Sequence, residues 1–227
     1  MTSHNTTDAV ATRAPGVRSA VRRLLGSALV VSIALVAAPK VAGAASTGPD
    51  PTATAKIGVA GISLRYPKSW FVTTLTKDGF AAILRKVADT NPDLAAHLSA
   101  VDTSKYKFYA IDPVTGANVG VIVDAKSGGP SDLAEWTDSV TQELAPLGAT
   151  VLDTKTVSVS GKRAYRSDAA LSLVSPGGAT TTMRVTDLFI LRGSLDRGDS
   201  TFVVVSMPEG DAAAATIDGL LASVRRM

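Results

Sequence analysis

From Thr150 to Met207 the chain reads as four extended segments in succession, Thr150 to Val159, Ala164 to Val174, Thr181 to Leu191 and Thr201 to Met207. Each is rich in Val, Thr, Ile, Leu and Tyr, which fit a pleated, half-buried surface. Ser175-Pro176-Gly177-Gly178 between the middle pair is a hairpin turn, since Pro presets one turn dihedral and Gly accepts the positive ones. No helix of crossover length separates these strands, so they pair antiparallel. A helix from about Asp211 to Arg225 follows, with Ile217, Leu220, Leu221 and Val224 on one face. So apolar a stripe must lie on a sheet.

The earlier part of the chain supplies more of both kinds of element. Ile62, Leu64 and Tyr66 alternate with Ser63 and Arg65, and after Pro67-Lys68-Ser69 the segment Trp70 to Thr74 is again extended, a hairpin-like opening. Lys77 to Val101 turns helical, with Phe80, Ile83, Leu84 and Val87 at helical spacing. Asn91-Pro92 caps a second short helix carrying Leu94 and Leu98. Tyr106 to Ile111 and Val119 to Val123 are strands; alternation points Tyr106 and Phe108 inward and Lys105 and Lys107 outward, which excludes a base-stacking surface. Ser131 caps a helix with Leu133, Trp136, Val140 and Leu144 on its apolar face, ended by Pro146 and Gly148. Strands in series with helices bunched between them make an α+β fold, an antiparallel β-sheet covered by helices.

The first 44 residues stand apart. Arg13, Arg18, Arg22 and Arg23 precede an uncharged apolar run from Leu24 to Ala38, and Ala42-Gly43-Ala44 is a small-residue cleavage triplet. A run of about 15 residues falls short of the roughly 20 that a spanning helix needs. Residues 1–44 are therefore expected to be a signal for general secretion, cut before Ala45, with an uncleaved anchor as the rival. Arg22-Arg23 resembles a twin-arginine signal, but Leu24, Leu25 and Gly26 fit that pattern poorly. Ala45 to Lys56 is a Ser, Thr, Pro, Gly and Ala tract expected to be a flexible linker, and one domain is expected over residues 57–227.

The leader holds five of the 23 basic and one of the 20 acidic residues, which leaves 18 against 19 in the mature chain. The mature protein is near neutral, and no nucleic-acid partner is expected of it. Without cysteine it has no disulfide, no thiol chemistry and no site for a lipid anchor. After export a single histidine remains, His97, with Asp93 one turn earlier. Two such groups do not make a metal set, and no metal or other cofactor is expected.

Gly61-Ile-Ser-Leu-Arg-Tyr-Pro-Lys-Ser-Trp70, together with the closing hairpin, strand and helix that end on Ser223-Val224-Arg225, resembles the PsbP and Mog-like α/β/α sandwich. The likeness extends over most of Ile57 to Arg226 and implies a six-stranded or larger antiparallel sheet between helices. The order of elements is also similar to actinobacterial exported proteins of the LpqN type, although this chain lacks their lipobox cysteine. What the resemblance implies is a fold used for binding and scaffolding. It transfers no catalytic residue.

No nucleophile elbow, zinc-peptidase helix, P-loop or dinucleotide turn occurs. Gly128-Gly129-Pro130-Ser131 before a helix offers backbone N–H groups to an anion, but a loop with an N-cap is the commoner use of such residues. Lys162, Arg163 and Arg166 would make a basic patch, except that strand alternation puts Arg163 on the opposite side. Trp70 and Trp136 are core fillers, with a second reading in which Trp70 and Tyr66 line the mouth of a ligand cleft. The expected function is a secreted or cell-envelope-associated, noncatalytic binding or accessory protein, with an unidentified protein or envelope ligand as partner and no stable membrane span after signal cleavage. The alternative is a cell-envelope hydrolase using a dispersed carboxylate pair among Asp112, Asp124, Asp168 and Asp187, which would have to meet in one cleft.

Overall fold

The computed structural model describes residues 51–73, 77–90, 92, 95, 99, 106–124, 129–174, 180–192 and 198–227. Residues 1–44, expected to be a signal, the Asp93 and His97 pair, Gly128 and residues 175–178, expected to be a hairpin turn, lie outside them.

Seven strands form one antiparallel sheet in the order β3-β4-β5-β9-β8-β7-β6. They are β3 (Phe71–Thr73), β4 (Tyr106–Ile111), β5 (Asn118–Asp124), β6 (Thr150–Val159), β7 (Lys162–Val174), β8 (Thr180–Arg192) and β9 (Asp199–Pro208). A smaller sheet has the order β1-β2-β10, from β1 (Thr52–Ile57), β2 (Ile62–Pro67) and β10 (Arg225–Arg226). One face of the large sheet is covered by α1 (Lys77–Thr90) and α2 (Leu133–Leu144), which bury Phe80, Ile83, Val87, Trp136, Val140 and Leu144 against it. The other face is covered by α3 (Ala213–Ala222) and the small sheet, whose Ile57, Ile62 and Leu64 share a core with Ile217, Leu220, Leu221 and Val224. The architecture is α+β, with an antiparallel sheet between two covering layers, as the strand series demands.

Several boundaries differ from the sequence reading. Thr52 to Lys56 are not tether: they pair with β2, Thr52 opposite Pro67 and Ile57 opposite Ile62. A Thr and Ala tract lacks a hydrophobic rhythm because β1 buries only Ile57 fully. Ile62 to Tyr66 and Trp70 to Thr74 do not form a hairpin, since β2 pairs with β1 and β10 while β3 pairs with β4. The last helix stops at Ala222, and Arg225 and Arg226 join the small sheet. Ser131 is not the cap of α2. Asp132 is, its carboxylate accepting from the Glu135 N–H at 2.8 Å, while Glu135 reaches back to the Ser131 N–H at 2.8 Å, a reciprocal cap.

Tyr106 and Phe108 do not share a face. The pairing of β4 with β5 slips between them, Tyr106 lying opposite Ile122 but Phe108 opposite Val121. Lys107 is the extra, exposed residue of this bulge. Tyr106 therefore enters the core under α1 and α2, with Tyr109 and Ile111, whereas Phe108 enters the core under α3. Two-residue alternation cannot foresee such a slip.

Two glycines are required by their surroundings. Ser160-Gly161 joins β6 to β7 with φ of 51° and 75°, the positive pair that a tight hairpin needs. Gly120 in β5 lies beneath the ring of Tyr106, and a methyl there would overlap the ring edge. That ring is buried and packed edge-on to Tyr109 at 5.6 Å, so it has little room to yield. Gly120→Ala should therefore destabilise the fold by about 1 to 3 kcal/mol. Urea denaturation checks this, and a midpoint equal to that of the parent would mean the ring is free to move.

Candidate functional site

The β-turn through Pro67, whose carbonyl accepts from the Trp70 N–H at 3.1 Å, carries the chain from the small sheet into β3. That turn sets Tyr66 and Trp70 on the wall of one cleft of about 400 Å³. Phe71 and Thr73 of β3 form its floor, and α1 forms its opposite side with Gly79, Ala82, Ile83 and Lys86. These four recur at i, i+3, i+4 and i+7, one stripe of a helix. Trp70 is buried but for 8% of its surface, and the half-buried Tyr66 rests on Phe108 at 5.5 Å between ring centroids. The Lys86 ammonium stands 5.4 Å from the centre of the Phe71 ring, a cation held over an aromatic face. Lys68 also lines the cleft. Among the described residues the lining holds no Asp, Glu, His or Cys.

Lys68, Phe71 and Lys86 were not legible as site residues, because nothing in the sequence says that β3 and α1 face each other across a gap. The small residues Gly79 and Ala82, beside the apolar stripe of Phe80 and Val87, are the one local signal that this side of the helix is left open.

The four aspartates are not brought together, and none lines the cleft. Asp112 is used in the turn between β4 and β5, where its carboxylate accepts from the Val114 N–H at 3.0 Å and the Thr115 hydroxyl at 2.6 Å. Asp124 is half-buried at the far end of β5. Asp168 is buried on the α3 side of the sheet, accepting from Arg166 at 2.8 Å and from the Thr186 hydroxyl at 2.6 Å. Asp187 lies between Val185 and Phe189 on the other side, since alternate strand residues share a face.

Asp187 belongs to a rung that crosses the whole sheet: Thr73, Tyr109, Gly120, Val204, Asp187, Ser167 and Thr154 are successive cross-strand partners. One Asp187 carboxylate oxygen, the Ser167 hydroxyl and the Tyr109 hydroxyl are buried with no hydrogen-bond partner among the described residues. Burial, reinforced by the negative charge of Asp168, pushes the Asp187 carboxyl up to about 7. Burial also pushes the Tyr109 phenol above its ordinary range.

The remaining sequence candidates are engaged elsewhere. The backbone N–H of Ser131, and its hydroxyl, already donate to Glu135, so this helix start holds an anion of its own. Arg166 spans Asp168 and Asp218, at 2.8 and 2.6 Å, while Arg163 lies over the Tyr165 ring on the opposite face, so no basic cluster forms with Lys162.

Among the described residues no helix is long and apolar enough to cross a membrane, and no group of three or more His, Asp or Glu is placed to hold a metal. No family model and no curated protein matches the chain. Among solved structures it is similar to the cyanobacterial PsbP of Synechocystis sp. PCC 6803, at 13% identity over 83% of this chain and 100% of that one, TM-score 0.48. It is similar also to LpqN of Mycobacterium tuberculosis, described as involved in cell envelope biogenesis, at 14% identity over 78% and 85% of the two chains, TM-score 0.45. A third is the Ran-binding protein Mog1p of Saccharomyces cerevisiae, at 12% identity over 78% and 96%, TM-score 0.44. These neighbours are of the PsbP and Mog-like kind that the sequence resembles, and the likeness is one of fold, with no site residue carried across.

Proposed function

We propose that the chain is exported and works at or beyond the cell envelope as a noncatalytic binding or accessory protein, taking its ligand or partner in the cleft between β3 and α1. The observation that carries this reading is the character of the lining. Aromatic rings and two lysines can grip a ligand, and among the described residues the lining holds no carboxylate or imidazole to act as a general acid or base. The leader, which ends in Ala42-Gly43-Ala44, supports the compartment.

The mature chain is expected to begin within a few residues of Ala45, which N-terminal sequencing of culture supernatant checks; recovery of the full-length chain only in membranes would overturn export. The purified mature protein, screened by thermal shift against envelope glycans, lipids and proteins, should be stabilised by a ligand that it does not consume. Ala82→Trp, which fills the cleft from the α1 side, should remove that shift. Turnover of any of these compounds, or a shift indifferent to Ala82→Trp, would sink the reading.

A further inference from the structure

The small sheet has a second face, turned away from the core. Lys56 and Arg225 flank Ser63 from either side on one rung, and Arg65 lies opposite Thr54 on the next. Alternate strand residues share a face, so Lys56, Thr54, Ser63 and Arg65 stand together. Lys56, Thr54, Arg65 and Arg225 are all exposed, while Ile57, Ile62 and Leu64 between them are buried on the other side. The end of α3 rises beside this face and closes a groove of about 670 Å³. Arg65 and Arg225 line it, with apolar floor from Tyr66, Pro67 and Leu220 and the hydroxyl of Thr216 on the α3 wall.

Among the described residues no Asp or Glu lines this groove, and neither Arg65 nor Arg225 is ion-paired. The one acid of α3, Asp218, is held away by Arg166 at 2.6 Å. The carbonyls at the end of α3, which would repel an anion, are themselves covered. Leu220 and Leu221 accept from the Ser223 and Val224 N–H groups at 3.1 Å each, and Ala222 accepts from the Arg225 guanidinium at 2.5 Å. The mature chain carries 18 basic and 19 acidic residues, so a face with cations alone is a local asymmetry and not the overflow of a basic protein.

We infer that this groove is a second binding site, for a ligand bearing a phosphate group. Guanidinium groups present paired donors that match phosphate oxygens, and Lys56, opposite Ser63, adds a positive charge to the same face of the small sheet. The rest of the ligand lies on Tyr66, Pro67 and Leu220. The groove shares only Tyr66 with the cleft above, and Ala82 is not part of it, so the two readings fail separately.

Gly219 supplies the test, because a Cβ added there meets nothing within 4 Å and lies in the groove wall. Two probes carry the anion in different settings: inorganic pyrophosphate, followed by calorimetry, and phosphatidylglycerol vesicles, followed by sedimentation against phosphatidylcholine controls. The mature protein should bind at least one of them, more weakly as salt rises. Gly219→Asp should lower the affinity by at least about tenfold, Gly219→Asn should not, and Arg65→Gln should match the Asp variant. Asp and Asn share a shape, so a folding defect would strike both, and the exposed Arg65→Gln then decides. Failure of the parent protein to bind either probe, equal binding by the Asp and Asn variants, or undiminished binding by Arg65→Gln would overturn the site.

Discussion

Trp136→Ala should destabilise the protein by about 3 to 5 kcal/mol, the cost of deleting a large side chain from a packed core. The indole is fully buried on the sheet-facing side of α2. It stacks on Tyr165 at 6.3 Å and leans on Phe189 at 5.5 Å, and Phe189 in turn meets Phe202 at 5.2 Å. Loss of the indole therefore leaves a cavity bounded by rings that the sheet holds in place and that cannot collapse into it. The indole N–H has no acceptor among the described residues, so the loss is one of packing. Trp136→Phe, which keeps a ring, should cost markedly less. For a domain of this size the Ala variant should melt about 10 °C lower. An unchanged melting temperature would show that α2 does not cover the sheet.

Asp187 gives the second large effect, with a distinctive dependence on pH. Its carboxyl is raised by burial, and secondarily by Asp168, from an ordinary 3.8 to about 7. The folded protein therefore holds a proton that the unfolded chain releases between these values, and folding favours the neutral acid. The contribution of this carboxyl to stability should be fully present below about pH 4, fall as pH climbs toward 7 and stay lost above it, by an amount on the order of 4 kcal/mol. Its neighbours on the rung, Ser167 and Val204, carry no charge that could offset the anion. Asp187→Asn keeps the shape and removes the titration, so the variant should match the parent near pH 4 and exceed it at pH 8. Urea unfolding across that range checks both curves. Parallel profiles for parent and variant would show that Asp187 is not the group responsible.

The sheet and its covering layers were legible in the sequence wherever one rule governed a long stretch. Ile217, Leu220, Leu221 and Val224 announced a covering helix, and the alternation through β8 and β9 announced strands, because burial on one face imposes a period that many residues repeat. Trp136 was legible as core for the same reason. The cleft was legible only in part. Tyr66 and Trp70 flank a turn, which hints at an edge, but Lys86 and Phe71 join them only when α1 folds over β3.

What local pattern determined was therefore the element types and the inward faces. What only the tertiary structure decided was pairing between distant segments. It placed β2 with β10, more than 150 residues apart, instead of with β3. It slipped β4 by one residue at Lys107, sending Phe108 and Tyr106 to opposite cores. It separated Asp168 from Asp187 across the thickness of the sheet although both were plausible partners on paper. And it left Lys56, Arg65 and Arg225 on one face of the small sheet, with Asp218 of α3 paired to Arg166. Charges and side-chain faces of this kind depend on register across strands, a non-local quantity that a one-residue slip inverts.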